Sequence, residues 1–237
     1  MSLPFQFKEF TIEQDRCAMK IGTDSVLLGA WISLENNPSK ILDIGAGTGI
    51  LALQMAQRSF AETIDAVEID NDAFEQCTEN FENSPWGDRL YCYHASAQEF
   101  ATDIDETYDL IISNPPFYSE DFKTESEARD MARFTDSLPF EHLIGCVHAL
   151  LSKEGEFALI LPRKEEEHFI SLASEAGLYP NRICRVRGTA TSEEKRSLIC
   201  FSFRSTTTEI SSLTIEIERH KYTEDYKNFV KDFYLKM

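Results

Sequence analysis

From residue 40 onward the chain switches between two hydrophobic periods. Short apolar runs fall at 40–44, 63–70, 88–95, 108–113 and 155–162, and two more at 181–188 and 196–203. Between them lie stretches with apolar residues at helical spacing. In 49–59 positions 50, 51, 53 and 55 repeat; 71–84, 138–152 and 164–177 follow, the last closed by Gly177. The runs predict strands buried on both faces, and the spaced stretches predict amphipathic helices. Asn71 or Asp72 is the expected cap of the 71–84 helix. Strands alternating with helices predict a mostly parallel sheet covered on both sides. Only "TATSEEK" separates the last two strands, so they should form an antiparallel hairpin at one edge. The expected fold class is α/β, a doubly wound, seven-stranded Rossmann-like sheet ending in that hairpin.

No repeat or low-complexity segment divides the chain, so residues 1–237 read as one domain. Residues 4–37 are expected to cover the open end of the sheet, with the core at 38–204. The acidic tail, 205–237, adds a strand and a short amphipathic helix that pack on the core.

Composition narrows this picture. Hydrophobic residues make up 42% of the chain, enough for a sizeable core, and no apolar run is long enough for a membrane span. The opening "MSLPFQFKEF" lacks a basic start followed by an apolar stretch, which predicts no signal peptide and a cytoplasmic location. Cysteines at 17, 77, 92, 146, 184 and 200 make no Cys-x-x-Cys pair, and no His cluster accompanies them. They read as buried small hydrophobes rather than as metal ligands or a disulfide framework. The formal net charge of −18 argues against a general nucleic-acid binder. It leaves room for a local basic surface, because exposed charges beyond about 8 Å are largely screened at physiological salt.

The chemistry begins at "LDIGAGTGIL", which places Asp43, Gly45, Gly47 and Gly49 between a strand and a helix. Glycines allow a tight turn and close approach of a ligand, and the helix start offers free N–H groups. The next strand ends in Glu68, suited to accept hydrogen bonds from both hydroxyls of a ribose. A dinucleotide would call for Gly-x-Gly-x-x-Gly. Here the spacing is Gly-x-Gly-x-Gly, after an acid that would repel a pyrophosphate but suits an ammonium group. That pattern resembles S-adenosylmethionine methyltransferases.

The second motif is Asn114-Pro115-Pro116-Phe117, after the strand "DLIIS". It falls at the carboxyl edge of the sheet, where open α/β folds carry their crevice. The prolines stiffen the loop. The Asn114 side-chain carbonyl and the Pro115 backbone carbonyl can accept from a planar –NH₂ group, with Phe117 stacked on its ring. A ring-conjugated amine is a poor nucleophile, so positioning is the main demand, and orientation alone can contribute about 7–11 kcal/mol. Stacking adds about 1–3 kcal/mol per base, against the few kcal/mol needed to expose one.

Together these motifs resemble class I S-adenosylmethionine-dependent methyltransferases that act on amino nitrogens of bases or glutamine. Residues 5–31, "ENFENSPWGDRL" at 79–90 and the ending "FYLKM" are similar to the bacterial tRNA(Val) adenine-N6 methyltransferases, over nearly the whole chain. The resemblance implies methylation of N6 of the adenosine just 3′ of the anticodon in a valine tRNA. It implies that Asn114, Pro115 and Phe117 hold the adenine, and that Asp43, Gly45, Gly47, Gly49 and Glu68 hold S-adenosylmethionine. Lys20, Gly22, Thr23 and Asp24 match a block expected near the cofactor's methionine end, or else simply cover the sheet. Many relatives carry an acid after the third strand for the cofactor's adenine amine. Here the stretch reads "HASAQEF", so Ser96 or the backbone near Ala97 is the expected substitute.

For RNA phosphates the candidates are Arg129 and Arg133 after the catalytic loop, and Arg182, Arg185 and Arg187 with Lys195 and Arg196 on the hairpin. Lys8, Arg16 and Lys20 are expected on the same rim. A glutamine methyltransferase, a guanine-N2 ribosomal RNA enzyme and a DNA adenine enzyme use related loops. A non-catalytic cofactor binder would not need Asn114-Pro-Pro-Phe117, and a dehydrogenase would need the other glycine spacing.

Overall fold

The computed structural model describes residues 3–116 and 138–236. In chain order the first elements are β1 (Phe5–Gln6), β2 (Thr11–Ile12), α1 (Thr23–Trp31), β3 (Lys40–Ile44), α2 (Ile50–Arg58) and β4 (Thr63–Glu68). Next come α3 (Asn71–Glu82), β5 (Leu90–His94), α4 (Ala97–Asp103) and β6 (Tyr108–Ser113). After the segment outside the described residues follow α5 (Phe140–Leu150), β7 (Leu151–Pro162), a 3₁₀ turn (Arg163–Glu165) and α6 (Glu166–Glu175). The chain closes with β8 (Tyr179–Thr189), β9 (Glu194–Ser202), β10 (Glu209–Glu218), β11 (Lys221–Tyr222) and α7 (Glu224–Val230).

The main sheet runs β11-β10-β8-β9-β7-β6-β3-β4-β5. From β3 the chain winds outward through β4 and β5, then returns to place β6 on the other side of β3, all in parallel. β3 and β6 therefore flank the point where the winding reverses, the place where such sheets open a crevice. β8 and β9 form the expected antiparallel hairpin, with β9 antiparallel to β7. Among the described residues the sheet has nine strands rather than seven, because β10 of the tail pairs in parallel with β8 and β11 pairs with β10. The hairpin's outer strand is thus covered. Without the tail β8 would present a row of unpaired backbone groups, and β10 satisfies them, which explains why the tail adds strands here.

Alternation along the central strands feeds two cores. Ile41, Leu110, Ile112, Ala158 and Ile160 face one side, with α1, α2 and α7. Leu42, Ile44, Ile111, Phe157, Leu159 and Leu161 face the other, with α5 and α6. Residues 43 and 114 share the parity of the first set, so Asp43 and Asn114 belong to the α1–α2 face. The N-terminal hairpin sits on that side too. The Lys8 N–H donates to the Phe233 carbonyl (2.9 Å), and Phe7 bridges Tyr234, so the two ends of the chain meet. Among the described residues no helix is long and apolar enough to cross a membrane.

Candidate active site

The register of β3 against β6 decides how the two motifs meet. Ile44 lies opposite Ser113, and the Ser113 hydroxyl donates to the Ile44 carbonyl (2.8 Å). Gly45 and Asn114 therefore leave neighbouring strands side by side. Both border a cleft of about 790 Å³ that is also lined by Lys20 to Ser25 and by Arg163, Lys195 and Arg196.

The glycine loop is shaped from several directions. The Gly45 and Ala46 N–H groups donate to the Val67 carbonyl (2.9 and 3.2 Å). Gly47 and Gly49 sit at φ 55° and 79°, in the left-handed region that disfavours side chains. A Cβ at Gly47, a residue that borders the cleft, would meet nothing within 4 Å, whereas one at Gly49 would lie 2.5 Å from the Phe81 ring. The Gly47 N–H donates to one Glu68 carboxylate oxygen (2.7 Å) and the Asp70 N–H to the other (2.9 Å). Each oxygen keeps a further lone pair for a ligand hydroxyl.

Asp43 is fully buried. One oxygen accepts from the Ala52 N–H (3.2 Å), so Asp43 caps α2 from the neighbouring strand; the N-terminal residue Gly49 has no side chain to do so. The other oxygen has no partner among the described residues. Burial pushes the Asp43 carboxyl up to about 7, the Ala52 bond opposes this, and the Glu68 charge adds to it. An unpartnered buried carboxylate oxygen is costly. It fits a cationic ligand group at this loop, as do the open space before Gly47 and the spare lone pairs of Glu68.

Sequence reasoning missed the side chains that hold the cover in place. On α3, the Asn80 amide accepts from the Glu13 N–H (2.9 Å) and donates to the Glu13 carbonyl and the Thr48 carbonyl (both 3.0 Å). One buried amide thus ties the N-terminal segment to the glycine loop. Gln76, one turn earlier, accepts from the Arg16 and Cys17 N–H groups (3.0 and 3.3 Å) and donates to Asp15 (2.8 Å). The only sequence signal was an amphipathic helix carrying amides on its buried face.

Lys20, Thr23 and Asp24 do line the cleft. Asp24 accepts from Arg196 Nε (2.7 Å), which pins the start of α1 to β9. Asn114 Nδ2 donates to Ser25 Oγ (2.8 Å). Pro115 is buried and Pro116 exposed. Phe117 lies outside the described residues.

Ser96 has a different occupation from the one its position implied. Its hydroxyl accepts from the Glu99 N–H (3.1 Å) and donates to the Glu99 carboxylate (2.7 Å), which in turn accepts from the Ser96 N–H (3.0 Å). This is a capping box for α4, and it uses the Ser96 side chain and backbone donor together. Ala97 is the first residue of α4. On α3 the cap is Asp70, accepting from the Ala73 N–H (2.8 Å), rather than Asn71 or Asp72. The preceding strand stops at Glu68, which shifts the helix start by one residue.

The hairpin arginines do not form the open basic face expected of them. Arg182 stacks its guanidinium 4.2 Å over the Trp31 ring. Arg185 makes a two-nitrogen contact with Glu166 (2.8 and 3.2 Å), a buried carboxylate that also accepts from the Ser197 hydroxyl. Burial alone would raise the Glu166 carboxyl, but these bonds outweigh it and hold it below its usual range. Arg187 pairs with Glu194 (3.3 Å). Arg185 thus joins the hairpin to α6, Arg187 links the two strands of the hairpin, and Arg182 packs the hairpin on α1. Arg129 and Arg133 lie outside the described residues. Lys20 and Lys195 are exposed on the rim of the cleft.

A doubly wound sheet, a glycine loop followed by an acid at the end of the next strand, and an Asn-Pro-Pro loop beside it define a methyltransferase of the nucleotide-fold class. Residues 17–170 match the family model of the methyltransferase small domain, and the chain belongs to that family. It is 59% identical over 236 residues to the tRNA1(Val) (adenine(37)-N6)-methyltransferase of Christiangramia forsetii, covering 99% of this chain and 98% of that protein. It is 57% identical over 233 residues to the protein of the same name from Flavobacterium psychrophilum, covering 98% and 100%. Among solved structures, a predicted O-methyltransferase of Agrobacterium tumefaciens superposes with a TM-score of 0.68 at 18% identity, covering 89% of this chain and 96% of that one. That likeness speaks for the fold. The cofactor of the reaction is S-adenosylmethionine.

Proposed function

We propose that this chain methylates N6 of an adenine in tRNA, and that the target is the adenosine 3′ of the anticodon of a valine tRNA. The observation that carries the reading is the meeting of Asn114 and the glycine loop at one cleft. The names of the relatives, at up to 59% identity over nearly full length, support the choice of base and RNA. A tRNA substrate also agrees with the cytoplasmic location expected from the sequence.

When bound, S-adenosylmethionine supplies an electrophilic methyl group. The residues that hold it are Asp43 for its ammonium group, Gly45, Gly47 and Gly49 for close backbone approach, and Glu68 for the ribose. Lys20, Thr23 and Asp24 form the wall at its methionine end. With the Ser96 hydroxyl taken by Glu99, the contact to the cofactor's adenine falls to the backbone at Ala97. On the other side, Asn114 Oδ1 and the Pro115 carbonyl accept the two hydrogens of the amine, and Phe117 stacks on the base. Two acceptors draw the amine out of conjugation and aim its lone pair, and no base is needed before attack. Arg129, Arg133, Arg182, Arg185 and Arg187 were the expected phosphate contacts. With the last three engaged internally, the rim lysines Lys20 and Lys195 are better placed for phosphates flanking a flipped base.

The test is methyl transfer from labelled cofactor to total tRNA, followed by nucleoside analysis. N6-methyladenosine in valine tRNA is expected; labelled protein with unlabelled tRNA would overturn the reading in favour of a glutamine substrate. Asn114→Ala should lower turnover by about 10³-fold, the scale of losing a group that orients the reacting atoms. Calorimetry should show its cofactor affinity unchanged.

A further inference from the structure

Asparagine in a loop normally spends its side-chain oxygen locally, on the N–H two residues further along. At Asn114 that position is Pro116, and the next residue is Pro115, so neither following residue has an N–H to give. The loop therefore denies Asn114 Oδ1 the two nearest backbone donors that would ordinarily satisfy it. The amide nitrogen, by contrast, is engaged: it donates to Ser25 Oγ at 2.8 Å.

Ser25 stands on a fixed platform. It belongs to the first turn of α1. On one side Asp24 is tied to Arg196 of β9 (2.7 Å), and on the other the Val26 carbonyl accepts from Gln54 of α2 (3.0 Å). The two groups are 89 residues apart in sequence, yet each comes from an element locked to the sheet or to its covering helix. A side-chain amide is nearly symmetric in shape, and turning it end for end exchanges a donor for an acceptor. Presenting –NH₂ to an exocyclic amine would set donor against donor.

We infer that Ser25 is a positioning residue: it holds the nitrogen of Asn114 so that Oδ1 faces the cleft as the acceptor for the substrate's amino group. The inference rests on the amine-methylating role of Asn114 proposed above. It assigns to the first turn of α1 a part in the chemistry, besides forming the cleft wall. Loss of the hydroxyl leaves the amide free to turn and leaves its nitrogen seeking a new partner, so the acceptor is aligned only part of the time. A misplaced reacting geometry lowers turnover rather than binding.

The experiment compares Ser25→Ala, Ser25→Cys and Ser25→Thr in methyl transfer to tRNA with labelled S-adenosylmethionine. Ser25→Ala is expected to lose about 10–100-fold in kcat, the effect of a small misplacement, with the KM for tRNA and the cofactor Kd little changed. Ser25→Cys keeps the shape but offers a weak acceptor, and should fall with Ser25→Ala. Ser25→Thr keeps the hydroxyl and should restore most of the activity. In the double variant with Asn114→Ala the Ser25→Ala change should add nothing, since the two act as one unit. Wild-type turnover in Ser25→Ala, or equal loss in the alanine and threonine variants, would overturn the inference. If Asn114→Ala itself keeps full activity, it is the reading of the site that fails, and the two failures are thus told apart.

Discussion

The glycine loop and the helix it opens are held by side chains from three elements, Asp43 of β3 on α2, and Glu68 of β4 and Asn80 of α3 on the loop itself, whereas Asn114 has one side-chain tether among the described residues, Ser25. On the cofactor side the protein has satisfied most of its own polar groups and left a few gaps: one Asp43 oxygen and the space before Gly47. On the substrate side it has removed its own donors by placing two prolines after Asn114. The first arrangement fixes a shape. The second, in the role proposed for Asn114, withholds partners so that an incoming amine supplies them. Rigid holding suits a ligand that is the same in every turnover, and an open acceptor suits a base that must arrive from within a folded RNA.

If that contrast is right, damage to the glycine loop should appear in stability and cofactor affinity, while damage at Asn114 should appear in turnover alone. The largest stability effect is expected for Gly49→Ala. Its Cβ would lie 2.5 Å from Phe81 and 2.8 Å from Cys77, both buried, at a φ of 79°. Overpacking and left-handed strain together should destabilise by about 2–5 kcal/mol. Gly47→Ala meets nothing in the fold and should lose only about 1–2 kcal/mol from strain, with its larger loss in cofactor affinity. Equal melting temperatures for the two variants would break the distinction between a packed and a ligand-facing glycine. Asn80→Ala comes next. It leaves both Glu13 backbone groups and the Thr48 carbonyl without their partner, for about 2–4 kcal/mol. Thermal unfolding should show that loss, and calorimetry a weaker cofactor complex; an unaltered cofactor Kd would mean that Asn80 serves the N-terminal cover alone.

Much of this site was legible because its parts are local. The Asp43 to Gly49 spacing, Glu68 at the end of the next strand and Asn114-Pro-Pro are each readable within a few residues, and the alternation of strands and helices sets them at one sheet edge. What was not legible is carried by pairs far apart in sequence. Nothing near Asn114 points to Ser25, and nothing near Arg185 points to Glu166. Helix α1 escaped notice because Val26 to Trp31 is buried all round and shows no polar face to reveal a period. Ser96 was the opposite case. Its capping box with Glu99 is a four-residue signal visible in "SAQE", overlooked because the position invited a cofactor role. The tail strand β10 pairs in parallel with β8, a partner that local pattern does not identify.

The smallest effect expected is a change of stability with pH, and it tests the gap left at Asp43. Its carboxyl is raised from 3.8 to about 7, chiefly by burial. Between those values the folded protein holds a proton that the unfolded chain has lost. Raising the pH through this window therefore removes stability, and the loss levels off above the folded value. Over the working range, from about pH 6 to pH 8, the change should be about 1 kcal/mol. Asp43→Asn carries no such proton, so its unfolding free energy should lack that slope. A cationic ligand group at the unpartnered oxygen favours the charged carboxylate and should flatten the slope of the unaltered protein. Urea unfolding at several pH values, with and without S-adenosylhomocysteine, which carries the same ammonium group, measures both. A slope that the ligand leaves untouched would show that Asp43 serves only to cap α2, and that the glycine loop holds its cofactor without a charge at its base.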